Sequence, residues 1–277
     1  MSIKHKVVLY YRKIFETLIY QKGKINSSRI ISYHNVSKED KYKFQEQIKY
    51  VSDHFNCITA EEFIILYESG KLFDEKYCAI TFDDGFKETF ENGIAVLEKH
   101  NISASVFVNL SLFLFSENND KRLLKTYCEK VFPRLMKSNL ICKGLSSDQI
   151  FSLINRDYEI GTHTVTHPHL SQCSDKELHY ELHEPLSFFK KKFNYQVKSI
   201  AYPYGRKRDI NTLVTKLVQK AGYTAAFTGI SRRISRDKNI NKFEFPRTNI
   251  SLDWSFKYFK ACFSGAEDLK DFLCRQY

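Results

Sequence analysis

The sequence predicts an α/β protein: a distorted (β/α)7-type barrel, preceded by a basic helical arm over residues 1–27 and interrupted by an inserted helical segment near residues 110–145. Three observations lead there. Short apolar, β-branched runs recur along the chain, helical periodicity fills most of the gaps, and polar residues stand where the runs end. Alternation of strand and helix along a whole chain makes a parallel sheet. Without a G-x-G-x-x-G turn, a closed barrel is favoured over a dinucleotide-binding sheet.

The strand-like runs are 29–33, 77–82, 103–108, 158–162, 198–202, 223–228 and 245–250, and helical patterns cover 40–56, 59–69, 86–100, 146–155, 174–192 and 209–221. Thr59 with Glu62 forms a capping box, and Gly222 closes the helix before it. Residues 28–277 read as one barrel domain, since no Pro/Ser/Gly-rich linker and no repeat divides them. With 43% hydrophobic and 15% aromatic residues, the chain can fill a sizeable core.

Lys and Arg exceed Asp and Glu by 43 to 32, a formal charge of +11 that attracts polyanions. No nucleic-acid motif accompanies it, so a nucleic-acid partner is not expected. The seven cysteines are scattered without a C-x-x-C, which suggests a reducing compartment. The apolar run Val7–Tyr11 stops at Arg12-Lys13 and lacks the features of a signal peptide, so a cytoplasmic location is expected. No stretch approaches the ~20 apolar residues of a membrane span. Residues 3–20 carry apolar side chains at helical spacing beside several cations. They fit either a helix packed across the barrel or one resting on an anionic membrane at its inner face.

Chemistry gathers at the C-terminal ends of strands in such barrels. There the sequence places His34, Asp83-Asp84, His163 and Tyr204, while Arg247 lies within the last run. Two adjacent carboxylates closing an apolar strand need a cation nearby, and Gly85 permits a turn that brings both toward one pocket. His163 and His167, four apart at a strand-to-helix transition, have ligand spacing. Two imidazoles and one carboxylate leave positions open on a metal, which lowers the pKa of bound water to about 7. Position alone does not say which aspartate binds and which acts as base. Zinc is the simplest choice; cobalt, nickel or iron would suit the same donors.

At these residues the chain resembles the polysaccharide deacetylases, the NodB-homology family or carbohydrate esterase family 4. Thr81-Phe82-Asp83-Asp84-Gly85, His163-Thr164-Val165-Thr166-His167 and Pro203-Tyr204-Gly205 match its three motifs in order. The resemblance implies that Asp84, His163 and His167 bind metal and that Asp83 is the base. It also implies that the Tyr204 N–H supports the oxyanion, with Pro203, Gly205 and Arg206 at the substrate. Two departures stand out. The family's arginine before P-Y-G is absent, and Arg247 is the substitute expected here. No histidine follows residue 250, where the family keeps its general acid. Ile30–Asn35 instead resembles the N-terminal strand of the circularly permuted poly-N-acetylglucosamine deacetylase branch, which would make His34 the acid.

The implied activity is hydrolysis of an N-acetyl group from an amino sugar in a glycan or in a lipid- or nucleotide-linked precursor of a polysaccharide. A deformylase, another amidase, a phosphodiesterase or a glycan-binding barrel without turnover are the alternatives. His169 reads as a loop residue, and His179 and His183 as the outer face of a helix that also carries Glu177, Glu181 and Glu184. The sugar and the oligomeric state stay open.

Overall fold

The computed structural model describes residues 28–136, 142–232, 234, 236 and 239–274, so the arm over 1–27 and its expected membrane contact lie outside the described residues. Eight strands form one sheet: β1 (Arg29–Tyr33), β2 (Asn56–Ile58), β3 (Tyr77–Phe82), β4 (Ser105–Val108), β5 (Glu159–Thr162), β6 (Ser199–Ala201), β7 (Ala225–Phe227) and β8 (Thr248–Asn249). All paired neighbours are parallel, in the order β7-β6-β5-β4-β3-β1-β8, with β2 beside the first half of β3. The sheet curls into a half-barrel. Phe245, just ahead of β8, donates its N–H to Ala226 and accepts from Thr228, so the two ends of the sheet meet at this seam.

Each predicted run contains a strand. The last one is shortened to Thr248–Asn249 because the chain changes partner at Pro246, which has no N–H to offer. Strand β2 is unforeseen, since three residues are too few to show a period. Helices lie outside the sheet: α1 (Lys41–His54), α2 (Ala60–Glu68), α3 (Ala95–Lys99), α4 (Leu110–Glu117), α5 (Lys121–Val131), α6 (Pro133–Met136), α7 (Ser147–Ile154), α8 (Asp175–Phe193), α9 (Thr212–Ala221), α10 (Phe256–Cys262) and α11 (Ala266–Cys274). The Thr59–Glu62 capping box is formed, and Gly222 ends α9 at φ +104°. Only the second half of the helix predicted over 86–100 is α-helical; Thr89–Ile94 is a wider π turn. Between β4 and β5, helices α4, α5 and α6 make up the described part of the inserted segment.

The strands obey a strict alternation. Ile31, Ile80, Val106, Ile160, Ile200 and Ala226 pack outward in the main core under the helices. Ile30, Ala79, Phe107, Ala201, Ala225 and Phe227 point the other way and fill the barrel together with Phe245. That inward face is layered. At the bottom the buried Glu159 accepts from Ser105, Ser199 and the Glu61 N–H, and in the middle Phe107 stacks near Phe227. Following the same face upward by twos leads from Ile30 to His34, from Ala79 to Asp83, and from Glu159 to His163. The period of the strands therefore delivers the polar residues to one mouth.

Gly161 makes the middle layer possible. A Cβ there would stand 2.4 Å from the Phe107 ring. Gly161→Ala must displace Phe107, so the unfolding midpoint in urea is expected to fall by an amount equivalent to about 1–3 kcal/mol.

Candidate active site and metal centre

At the end of β3 the backbone turns sharply. Asp84 and Gly85 both take left-handed conformations, at φ +71° and +74°. Asp83 continues the inward face of the strand, and the turn then brings the Asp84 carboxylate to the same mouth. The turn is fixed from outside: the Asp84 carbonyl accepts from the Asn109 N–H (3.1 Å) and that of Gly85 from the Leu145 N–H (2.9 Å).

Asp84 Oδ1 lies 3.6 Å from His163 Nε2 and 3.5 Å from His167 Nε2, and the donor atoms of the three residues lie within 4.8 Å of one another. Donors about 2.0–2.1 Å from a tetrahedral zinc would be separated by roughly 3.3 Å, so the cradle is close to size. His163 Nδ1 sits 2.7 Å from the Ala201 carbonyl, which assigns the proton to Nδ1 and leaves Nε2 bare. Burial lowers the His163 pKa to about 4, and burial, with the neighbouring His163 and His34, holds His167 well below the usual imidazole range. Both rings are thus neutral. Burial, then Asp83, pushes the Asp84 carboxyl well above the usual range, and its buried Oδ1 has no hydrogen-bond partner. A buried carboxylate oxygen without a partner, facing two bare imidazole nitrogens, fits a divalent cation.

Thr164 and His167 are left-handed as well, at φ +61° each. Glu181 holds this loop from α8, accepting from the Val165 N–H (2.7 Å), the Thr166 N–H (2.9 Å) and the Thr166 hydroxyl (2.6 Å). Glu181 was expected on the outer helix face; it is buried, on the side shared with Leu178, Leu182 and Pro185. His179 and His183 do stack on each other away from this side. Among the described residues Asp84, His163 and His167 are the one group of three able to hold an ion.

Asp83 meets Arg247. Nη1 donates to Oδ1 (2.7 Å) and Nη2 to Oδ2 (2.8 Å), while Nε donates to the Thr228 carbonyl (3.1 Å). The guanidinium stands over Phe107 at 5.3 Å from the ring centre, fully buried. Burial alone would raise the Asp83 pKa, but Arg247, aided by His163, pulls it down to about 2. Asp83 is therefore ionised at any working pH. Arg247 precedes β8 instead of lying within it.

His34 follows β1 on a loop pinned by Thr89, whose hydroxyl donates to the His34 carbonyl (2.9 Å), and by Asn92, which donates to Val36 (3.0 Å). Solvent reaches its imidazole, yet the dense protein floor beneath desolvates it. That desolvation lowers its pKa against the pull of Asp83.

Tyr204 is held at φ +60° between buried Pro203 and Gly205. Such a conformation is strained by about 1–3 kcal/mol for a bulky residue. Gly205 touches the chain at Gly229, where a Cβ would come within 2.3 Å of the backbone nitrogen. The Tyr204 N–H has no acceptor among the described residues. Its ring is edge-on to His167 (4.8 Å) and lies flat on His169 (3.9 Å, 11°). Arg206 points to the surface, and its N–H donates to Asp209 (3.0 Å). The inserted helices supply a wall that sequence motifs do not mark. Phe132 packs edge-on to His167 at 5.8 Å, and the Tyr127 hydroxyl donates to Asn109, which in turn donates to the His163 carbonyl.

Residues 70–226 match the polysaccharide deacetylase family. A poly-β-1,6-N-acetyl-D-glucosamine N-deacetylase of Staphylococcus aureus is 27% identical over 237 residues, covering 82% of this chain and 72% of that protein. Among solved structures, the Streptococcus pyogenes deacetylase PplD in complex with acetate superposes with a TM-score of 0.65 at 19% identity, over 88% of this chain and 96% of that one. IcaB from Ammonifex degensii gives 0.62 at 16% identity, over 86% and 97%. These two likenesses are of fold.

Two measurements test the cradle. Zinc at a hundredfold excess over its Kd is expected to raise the unfolding free energy by about 2.7 kcal/mol, and Asp84→Asn to abolish most of that gain. In metal-free protein His163 binds its proton near pH 4, against the free imidazole value of 6.5. The unfolded chain therefore takes up that proton first, and the stability present above pH 6.5 declines as the pH falls toward 4. His163→Gln should make the decline shallower.

Proposed function

The chain belongs to the polysaccharide deacetylase family, and from that premise we propose that it removes the acetyl group from an acetamido sugar by hydrolysis, with Asp83, His34, Tyr204 and Arg247 as its working residues. What carries the reading is the meeting of Asp84 Oδ1 with the Nε2 atoms of His163 and His167 beside the Asp83–Arg247 pair. Held by those three donors, a divalent cation would supply Lewis acidity to the acyl carbonyl and to the attacking water. Zinc is the choice proposed; cobalt, nickel and iron suit the same set.

The remaining work belongs to side chains. Asp83, ionised and aimed by two bonds from Arg247, accepts a proton from the water that attacks the acetyl carbon. The Tyr204 N–H, without another acceptor among the described residues, donates to the oxygen that becomes negative as the tetrahedral centre forms. His34, protonated from the solvent that reaches its imidazole, gives that proton to the sugar nitrogen as the C–N bond breaks, so acetate and a free amine leave together. Its loop arises from the N-terminal strand, but β1 lies next to β3 in the sheet, which brings His34 to the mouth.

For substrate we propose an acetamido sugar within a glycan or a lipid- or nucleotide-linked precursor, in keeping with the named activity of the Staphylococcus aureus relative. A cytoplasmic site of action, with residues 3–20 against the membrane, is part of the same proposal. In support, Cys57, Cys78, Cys128, Cys142, Cys173 and Cys262 are free thiols.

Purified protein with added zinc or cobalt should release acetate from N-acetylglucosamine oligomers or linked precursors, read by mass spectrometry. Release of formate alone from formamido sugars would turn the reading to a deformylase. Bound metal without any acyl release would favour another hydrolase, and protein inert to both metal and substrate a glycan-binding barrel. His34→Ala should lower turnover roughly 100- to 10,000-fold with metal content unchanged. Metal lost together with activity would assign His34 to ligation or folding.

A further inference from the structure

The loops that carry the two halves of the site are joined by one buried carboxylate that no motif includes. Asp209 Oδ1 lies 2.7 Å from His169 Nδ1, two residues beyond the ligand His167, and its Oδ2 accepts from the Arg206 N–H at 3.0 Å, two residues beyond Tyr204. Its backbone adds to the grip: the Asp209 N–H donates to the Arg206 carbonyl (2.9 Å), and the Asp209 carbonyl accepts from the Ser171 N–H (3.2 Å). Asp209 itself is only 2% exposed. The His169 ring that it orients covers one face of Tyr204, at 3.9 Å and nearly parallel, and the Tyr204 ring also makes a T-shaped contact with His167 at 4.8 Å.

We propose that Asp209 and His169 are positioning residues that hold Tyr204 in its left-handed conformation, so that its N–H stays turned to the reacting oxygen. The proposal rests on the deacetylase reading of the site. Tyr204 has a clear way out of its conformation: nothing in its own side chain favours φ +60°, and its phenol is 43% exposed. Gly205 fixes the following peptide against Gly229 but places no restraint on the Tyr204 ring. Beside the edge contact with His167, two restraints act on the segment, the stacked imidazole on the ring and the carboxylate on the Arg206 N–H, and both end on Asp209. The sequence gives no sign of the pair. His169 and Asp209 stand 40 residues apart, and neither lies in a motif.

The test uses the full chain loaded with cobalt, whose visible spectrum reports ligands at the metal. Compared are wild type, His169→Ala, His169→Phe and Asp209→Ala, with acetate as the probe for the oxyanion position and an N-acetylglucosamine oligomer as substrate. His169→Ala and Asp209→Ala should lower kcat about 10- to 100-fold, with KM within about threefold, as expected when one donor is misaligned but not removed. Acetate affinity should fall about tenfold in step, and cobalt stoichiometry should hold. His169→Phe, which keeps a flat ring on Tyr204, should recover acetate binding and kcat to within about threefold of wild type. A His169→Phe protein as impaired as His169→Ala, a change in KM alone, or loss of cobalt in the His169 variants would overturn the proposal. If the wild type binds cobalt and acetate but releases no acetate from any glycan, the deacetylase reading falls, while the acetate arm still decides whether the clamp sets that subsite.

Discussion

Arg247 brings a full charge into a floor built from Phe107 and Phe227, and the barrel tolerates it only because Asp83 meets it with both oxygens. Much of the upper barrel is arranged around that contact. Phe107 can lie flat beneath the guanidinium because Gly161 has no side chain. Thr228 turns its carbonyl to Nε, and Thr81 turns its hydroxyl to Nη1. The chain must leave β7 at Pro246 before joining β1, or the arginine would not cross the axis. With Asp83 held ionised in this way, the neighbouring Asp84 cannot easily carry a second charge unless a cation arrives. The two adjacent carboxylates thus acquire opposite tendencies from their surroundings alone.

Backbone strain collects around the same mouth. Asp84, Thr164, His167 and Tyr204 are all left-handed, and each lies in a loop at the end of β3, β5 or β6. Such residues persist where neighbours over-determine them. Glu181 satisfies three donors of the ligand loop, Asn109 binds the Asp84 carbonyl through its N–H and the His163 carbonyl through its amide, and Asp209 spans two loops. The barrel is a rigid base, and a small number of buried polar side chains convert it into a site.

What could be read in the sequence was whatever repeats or lies close along the chain. Strand positions show as apolar runs, and His34, Asp83-Asp84 and His163 stand out as the polar residues that close them. The spacing of His163 and His167 signals a shared ion, and the Thr59–Glu62 cap is local. Contacts made by single polar residues across long separations leave no such trace. Glu181 reads in sequence as one of several outward glutamates of its helix, so its burial becomes visible only when the 163–167 loop is laid beside it. The same holds for the aromatic wall from α5 and Phe132, and for β2, whose three residues pair with β3 without any pattern of their own.

The order in which the ribosome delivers these groups follows from the Asp83–Arg247 contact. The two residues are separated by 164 positions, and the cation follows all three motifs along the chain. A nascent or prematurely terminated chain that already contains all three motifs would still present an unneutralised acidic pair at the top of an open sheet. Its unpaired strand edges would remain exposed, a species that quality-control proteases recognise. The acidic pair is therefore neutralised only once the chain through Arg247 and β8 has joined the sheet beside β1.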